Sequence, residues 1–177
     1  MILPDWFWYA FGKRLVSPFN PDRIGPTSYD LALDRHVILQ VYQGITLGAR
    51  GVLDGDLILL DNGLELENFF LPGDSVLAHT REYLKVPRYV RLQGMLKSSV
   101  ARAGLNHRTA LYVDPGFHGT LTLELEFGVP GRLVPFKPII QVEAQLCLPI
   151  RPYQGHYVGQ HRPEPNRNPD IAFLPEL

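Results

Sequence analysis

In the stretch TLTLELEF at 120–127, polar and apolar residues alternate. Successive side chains of a β-strand point to opposite faces, so a strand here would have one apolar and one polar face. The polar face would carry Thr120, Thr122, Glu124 and Glu126. Such a face is commonly the solvent side of a sheet. A carboxylate on it that faced a pocket could instead act as a general base.

A second group with chemical potential is KSSVARAG at 97–104, which places Lys97, Ser98, Ser99 and Arg102 within six residues. The pattern predicts one or two helical turns that end at Gly104. Exposed N–H groups at a helix start favour an anion, and serine and lysine side chains can add contacts to it. The alternative is that Ser98 or Ser99 only caps the helix and the basic residues are solvated.

The third candidate is RPYQGHYVGQHRPEP, in which Tyr153, His156, Tyr157 and Gln160 alternate with glycines. This composition predicts an extended C-terminal segment over 151–177. Such a segment could fold over a ligand, or it could be a disordered proline-rich end.

Composition indicates a single globular domain over residues 1–177, since 45% of the residues are apolar and 20% are charged. The formal net charge of −1 gives no reason to expect nucleic acid or an anionic membrane as a partner. No run of apolar residues is long enough to predict a membrane-spanning helix.

Cysteine and histidine usage bears on metal chemistry. Cys147 is the only cysteine, which excludes an internal disulfide and suits the reducing cytoplasm. Zinc-dependent nucleobase deaminases need H-x-E followed by P-C-x-x-C, and the chain cannot supply those ligands. None of the six histidines forms an i, i+4 pair, which also disfavours a histidine-rich metal site.

The candidate site residues lie among short strand-like runs that are bounded by Gly, Pro, Asp and Asn. These runs predict a mainly β fold. The runs include HVILQVYQ, DLILL, SVLAHT, RYVRLQG and IIQVEAQLCL. Helices are expected only at residues 4–15 and 97–104.

Four blocks, taken in order, resemble the dCTP deaminase branch of the dUTPase-like superfamily. They are GPTSYDLAL at 25–33, KSSVARAGL at 97–105, HRTALYVDPGFHGTLTLEL at 107–125 and RPYQGHYVGQHRPEPNR at 151–167. The third is similar to the pattern H-x-T-A-x-x-x-D-P-G-F/W-x-G-x-I/L-x-L-E. The resemblance implies a distorted jelly-roll (β-clip) barrel with a short N-terminal helix. It also implies a homotrimer whose active sites lie between subunits.

The same resemblance implies hydrolytic deamination of dCTP to dUTP and ammonia without zinc, with Mg²⁺ only accompanying the triphosphate. Glu124 matches the catalytic glutamate, which would deprotonate the attacking water and then protonate the leaving ammonia. Ser98, Arg102 and the carbonyl of Ala110 match the groups that orient the water and the amine.

The substrate-binding positions also follow from the resemblance. Backbone groups of Thr122, Leu123 and Glu124 match the segment that recognises the pyrimidine edge. Asp114 matches the residue that bonds the 3′-hydroxyl, and Phe117 the ring that packs on the sugar and excludes a 2′-hydroxyl. The residues that match phosphate ligands are Lys97, Ser98, Ser99, Tyr153, His156, Gln160 and Gln141, with Gln145 as a rival to Gln141.

The chain departs from the family pattern in its tail and next to the catalytic glutamate. His156 stands where lysine is usual, and Glu126 where asparagine is frequent. The principal alternative is the bifunctional branch, which also hydrolyses the triphosphate to give dUMP and pyrophosphate. A non-catalytic nucleotide-binding trimer is a further alternative, although such a sensor has no need of a general base.

Overall fold

The computed structural model describes residues 1–40, 57–60 and 69–165. Within those ranges two helices, α1 (Asp5–Leu15) and α2 (Ser98–Arg102), and a 3-10 helix at Pro21–Arg23 accompany fourteen short strands. The first seven strands are β1 Val16–Ser17, β2 Ser28–Ala32, β3 His36–Gln40, β4 Leu57–Leu59, β5 Phe69–Phe70, β6 Ser75–His79 and β7 Tyr83–Lys85. The other seven are β8 Val90–Leu96, β9 Leu105–His107, β10 Tyr112–Val113, β11 His118–Gly119, β12 Thr122–Phe127, β13 Gly131–Arg132 and β14 Pro138–Leu146. The mainly β prediction is confirmed.

The strands form two larger antiparallel sheets and two small ones. One larger sheet has the order β10-β8-β14-β2, and the other has the order β4-β3-β6-β12-β9. The small sheets are β1-β7-β11 and β13-β5. One apolar cluster includes Leu92 and Ile140 of the first sheet and Val76 and Leu123 of the second. The two larger sheets therefore share a core, which holds their outer faces in fixed positions.

The N-terminal helix was predicted at 4–15 and spans Asp5–Leu15. Asp5 lies in its first turn and Lys13 and Arg14 in its last, which suits the helix dipole. Trp8 is fully buried, and its ring lies 5.4 Å from that of Tyr29 on β2. This face of α1 packs against β2 at the edge of the β10-β8-β14-β2 sheet. Among the described residues, neither helix has the length and hydropathy to cross a membrane.

The short helix α2 was predicted at 97–104 and ends where expected. Gly104 has a φ of +93°, and a Cβ there would come within 2.5 Å of a Val129 methyl group. Only glycine fits that position. The capping alternative is wrong, because Ser98 is already helical and the residue before it, Lys97, makes no side-chain cap. The hydroxyls of Ser98 and Ser99 are left exposed.

A buried ion pair ties the 3-10 helix to the core. Glu82 is fully buried, pairs with Arg23, and accepts a hydrogen bond from the Ala32 N–H at 2.8 Å. Burial raises the pKa of Glu82, and the Ala32 N–H and the Arg23 guanidinium oppose that rise. Arg23 is therefore a cation that favours the ionised form of this interior carboxylate.

Candidate active site

A cavity of about 430 Å³ lies against the polar face of β12. The strand supplies Thr122 and Glu124, and the turn that precedes it supplies Asp114 and Phe117. Side chains along β12 alternate between partly exposed and buried, as the alternation of polar and apolar residues predicts. The cavity falls within the range of about 300–1,000 Å³ that is typical of small-molecule sites.

The two carboxylates of β12 have different surroundings. The Glu124 side chain is 28% exposed, but its Oε2 is shielded from solvent and makes no hydrogen bond among the described residues. Burial raises the pKa of Glu124 above its ordinary value of 4.5. Glu126 is 43% exposed and lies 3.7 Å from the Nε of Arg108. Glu124 thus has the environment expected of a general base, whereas Glu126 does not line the cavity.

Sequence reasoning assigned no role to His107, yet its Nε2 lies 3.5 Å from Oε2 of Glu124. The Thr109 N–H donates to Nδ1 of His107 at 2.9 Å. Nδ1 is therefore the acceptor of the neutral ring, and the proton is on Nε2, which lies near the carboxylate without the geometry of a hydrogen bond. Burial lowers the pKa of His107 to about 4, so the ring is neutral at pH 7.

The contact between Thr109 and His107 depends on an unusual backbone conformation. Thr109 has a φ of +60°, which is rare for a β-branched residue. Strain of this kind persists only where the surroundings hold it in place. The histidine of the H-x-T-A block was the available sequence signal, but neither its orientation nor the Thr109 backbone could be derived from the motif.

The edge of β12 is open towards the cavity near Glu124. On one side β6 pairs with β12 from Thr122 to Glu126. On the other side β9 pairs over Leu125–Phe127, and the Glu124 carbonyl accepts from the Arg108 N–H at 3.0 Å. In the described structure the backbone of Thr122 has no strand partner on that second side. The Leu123 side chain is fully buried in the core, so only its backbone can contribute to a site.

The turn at Asp114–Phe117 forms another wall of the cavity. The Phe117 N–H donates to the Asp114 carbonyl at 3.1 Å, and the Phe117 ring is largely buried. Gly116 has a φ of +88°, and a Cβ there would lie 2.7 Å from Cβ of Pro152. Glycine at this position allows the C-terminal segment to approach the turn closely.

The C-terminal segment lies along the cavity in the part that the structure describes, residues 151–165. The Tyr153 N–H donates to the Pro115 carbonyl at 2.7 Å, and the Thr120 N–H donates to the Gln160 carbonyl at 2.9 Å. Gln160 is buried, and its Nε2 donates to the Thr120 carbonyl at 2.5 Å. The disordered alternative is therefore wrong for 151–165. Residues 166–177 lie outside the described range.

The structure divides the predicted site residues into two groups. The pocket group lines the cavity and contains Ala110, Asp114, Phe117, Thr122, Glu124, Tyr153 and Gln160. The helix group lies elsewhere on the same chain and contains Lys97, Ser98, Ser99, Arg102 and Gln141. His156, which is exposed, and Leu123, whose side chain is in the core, belong to neither group.

Contacts within the helix group show where it sits. Lys97 forms an ion pair with Asp30 of β2, while Ser98, Ser99 and Arg102 are exposed on α2. Gln141 lies opposite Asp30 in the β14–β2 register and donates to Oγ of Ser28 at 2.9 Å. Its rival Gln145 accepts hydrogen bonds from Arg91. A single chain does not bring the helix group to Glu124.

A second cavity of about 260 Å³ adjoins α2. Its walls are mainly apolar, with Val100, Leu105, Val129 and Leu133 among them, and it has no acidic residue or histidine in its lining. Its charged lining residues are Arg132 and Lys137, so it offers neither a carboxylate nor an imidazole as a general base. The cavity beside Glu124 is therefore the candidate active site.

The chain has relatives among known proteins. Residues 9–133 match the family described as dCTP deaminase-like. The chain belongs to that family. A dCTP deaminase, dUMP-forming, of Acidothermus cellulolyticus is 35% identical over 90% of this dCTP deaminase-like chain and 89% of its own. A relative of the same description from Nanoarchaeum equitans is 35% identical over 77% of this chain and 78% of its own. Another, from Aquifex aeolicus, is 36% identical over 88% of this chain and 87% of its own.

The fold of this dCTP deaminase-like chain has a solved counterpart. A crystal structure titled 2′-deoxycytidine 5′-triphosphate deaminase from Agrobacterium tumefaciens matches it with a TM-score of 0.65 at 18% identity. The match covers 82% of this chain and 47% of the other, so this chain spans about half the length of that protein. At this level of identity the likeness establishes the fold alone.

Proposed function

We propose that the chain is a bifunctional dCTP deaminase that converts dCTP and two water molecules into dUMP, ammonia and pyrophosphate. The deamination is inferred from one observation. The Glu124 carboxylate faces the cavity, and its partial burial raises its pKa. Sequence analysis placed the dUTP-forming reaction first and the dUMP-forming reaction as its alternative. The descriptions of the similar proteins favour the alternative.

In the first reaction Glu124 removes a proton from a water molecule whose oxygen adds to the C4 carbon of cytosine. The same carboxyl group then gives that proton to the amine, which leaves as ammonia, and the hydroxyl proton on C4 moves to N3 as the carbonyl forms. One side chain can serve both steps because the proton that it takes up as a base is the one that it gives up as an acid, which regenerates the carboxylate at the end. The N–H of His107 lies beside the carboxylate and favours its ionised form electrostatically, and the neutral ring does not compete for the proton.

Recognition of the base and sugar falls to the pocket group. The open edge of β12 at Thr122 and Leu123 offers backbone donors and acceptors to the pyrimidine edge. The position of Asp114 in the cavity wall suits a bond to the 3′-hydroxyl. The buried ring of Phe117 forms a rigid surface for the deoxyribose and leaves little room for a 2′-hydroxyl.

The triphosphate requires cations that the pocket group does not contain. Lys97 and Arg102 of the helix group provide them, together with the hydroxyls of Ser98 and Ser99. Since one chain keeps the two groups apart, we infer that α2 of one copy meets the cavity of another, in a homotrimer of jelly-roll barrels with three shared sites. The described part of the C-terminal segment, residues 151–165, then closes over the nucleotide with Tyr153 and Gln160.

Magnesium enters with the triphosphate as part of the substrate. Magnesium sites usually combine one or two carboxylates with phosphates and water. The described cavity wall has carboxylates at Asp114, Glu124 and Glu164. Over the described ranges, no trio of potential ligands closes around a common point in this cavity. The donor set fits an ion held mainly by phosphate oxygens.

One assay separates the possible activities. The protein is incubated with dCTP or dUTP and Mg²⁺, and ammonia and pyrophosphate are followed independently. The proposal expects both products from dCTP in equal amounts. Ammonia without pyrophosphate would indicate the dUTP-forming enzyme. Pyrophosphate from dUTP without ammonia from dCTP would indicate a dUTPase, and no product would indicate a nucleotide-binding protein.

Mixing two inactive variants tests the shared site. Glu124→Gln keeps the helix group intact, and Arg102→Ala keeps the pocket group intact. After the subunits are mixed in equal amounts and exchanged, roughly one site in four joins an intact Glu124 to an intact Arg102 from a neighbour. We expect about a quarter of the wild-type deamination rate. No recovery despite proven subunit exchange would contradict the shared site.

A further inference from the structure

Three potential metal ligands meet outside the Glu124 cavity. Nδ1 of His36 lies 2.8 Å from Oδ1 of Asp34, and Nε2 of His79 lies 3.3 Å from the same oxygen. The three ligand atoms are all within 4.8 Å of one another, and no other such group is found within residues 1–40, 57–60 and 69–165. None of the three residues lines the cavity.

Strand pairing brings these residues together. Strand β3 pairs with β6 in a register that sets Ile38 opposite Leu77 and therefore carries His36 and His79 to adjacent positions. Asp34 sits in the turn before β3, and its N–H donates to the His79 carbonyl at 2.9 Å. The backbone thus holds all three side chains at one point.

His79 is not satisfied by hydrogen bonding. Its side chain is 4% exposed, and neither ring nitrogen makes a hydrogen bond within the described part of the chain. The 3.3 Å approach to Asp34 is an ionic contact whose geometry does not qualify as a hydrogen bond. A hydrogen-bonded triad explains His36 beside Asp34 but leaves both ring nitrogens of buried His79 without a hydrogen bond, which is costly.

We propose that Asp34, His36 and His79 bind a divalent transition-metal ion of the zinc class. Zinc lies about 2.0–2.2 Å from nitrogen and oxygen ligands, so neighbouring ligand atoms of a tetrahedral site are about 3.4 Å apart. The separation of 3.3 Å between His79 and Asp34 matches that spacing. His36 is closer to Asp34, but its side chain is 29% exposed and has room to move outward.

The donor set and the exposure define the kind of site. Two imidazoles and one carboxylate are ligands that zinc, cobalt and nickel accept readily. Asp34 is 18% exposed, which leaves space for a water molecule in a fourth position. His79 lies opposite Thr122 in the β6–β12 register. A bound ion would therefore fasten the β2–β3 turn to the strand that neighbours the catalytic one, as a structural clamp.

The test uses the full chain after treatment with a chelator, without nucleotide. Titration with Co²⁺ should give one equivalent per chain with the absorption of a tetrahedral site. Free Zn²⁺ at about a hundred times its Kd should raise the thermal midpoint by roughly 5–10 °C. Asp34→Asn and His79→Leu should abolish both effects, whereas the exposed His118→Ala should retain them. His36→Gln, at a partly exposed position, provides a folded variant should His79→Leu fail to fold.

The proposal is overturned if the wild-type chain binds less than one equivalent of Co²⁺ and Zn²⁺ leaves the midpoint unchanged. It is equally overturned if His36→Gln and Asp34→Asn bind both ions as tightly as the wild type does.

Discussion

Replacing His107 by phenylalanine tests whether a neutral N–H supports the Glu124 carboxylate. Phenylalanine keeps a ring in the same space and removes the Nε2 donor that lies 3.5 Å from Oε2. A carboxylate that loses a donor is less stable in its ionised form, so its pKa rises. Burial already raises the pKa of Glu124, and the substitution should raise it further.

The size of the effect follows from the contact. The 3.5 Å contact does not have the geometry of a hydrogen bond, so it is weaker than the about 1.5–3 kcal/mol of a hydrogen bond to a charged group. Since about 1.4 kcal/mol corresponds to one pKa unit, the shift should not exceed about one unit. Only the ionised carboxylate accepts a proton from water. On the acid side of the profile the variant should therefore deaminate up to about tenfold more slowly than the wild type.

The assay is the pH dependence of kcat/KM for ammonia release from dCTP. The acid limb should move to higher pH in His107→Phe, and the two profiles should converge above the pKa of the variant. His107→Gln can restore an N–H donor and should shift the limb less. His118→Phe, at an exposed position, should leave the profile unchanged. A loss of rate that is the same at every pH would refute the role given to the His107 proton.

Three further substitutions have defined outcomes. Phe117→Ala should narrow the preference for dCTP over CTP, measured as a ratio of kcat/KM values, because the ring no longer fills the space of a 2′-hydroxyl; an unchanged ratio would contradict this. Arg23→Met should lower the free energy of unfolding in urea by about 3–5 kcal/mol, because it leaves Glu82 buried without its cation; a loss below about 1 kcal/mol would show that the pair is not needed. Gln160→Ala should raise the KM for dCTP about tenfold by loosening the C-terminal segment, an effect of about 1.4 kcal/mol; an unaltered KM would separate that segment from substrate binding.

Local features of the chain could be predicted because local residue types dictate them. The alternation along β12 follows from the two-residue period of a strand, and α2 ends where a glycine permits a positive φ. The turn at Asp114–Phe117 combines proline and glycine in the order that turns favour. These signals depend on neighbours in the sequence, and the structure confirms them.

Features created by pairing between distant segments could not be predicted. His107 meets Glu124 through the β9–β12 register and the unusual backbone of Thr109. His36 and His79 meet through the β3–β6 register, which a search for helical i, i+4 spacing does not detect. The sequence motifs also present Ser98 and Glu124 as parts of one site, although the fold of a single chain keeps them on different surfaces.

The central claim is that the Glu124 carboxylate activates water. Its most direct test is the rate of ammonia release from dCTP by Glu124→Gln, which keeps the shape of the side chain and removes the base. We expect a loss of at least about 10²-fold, with a circular dichroism spectrum like that of the wild type, and near-normal activity in the matched variant Glu126→Gln. Near-normal ammonia release by Glu124→Gln would contradict the account.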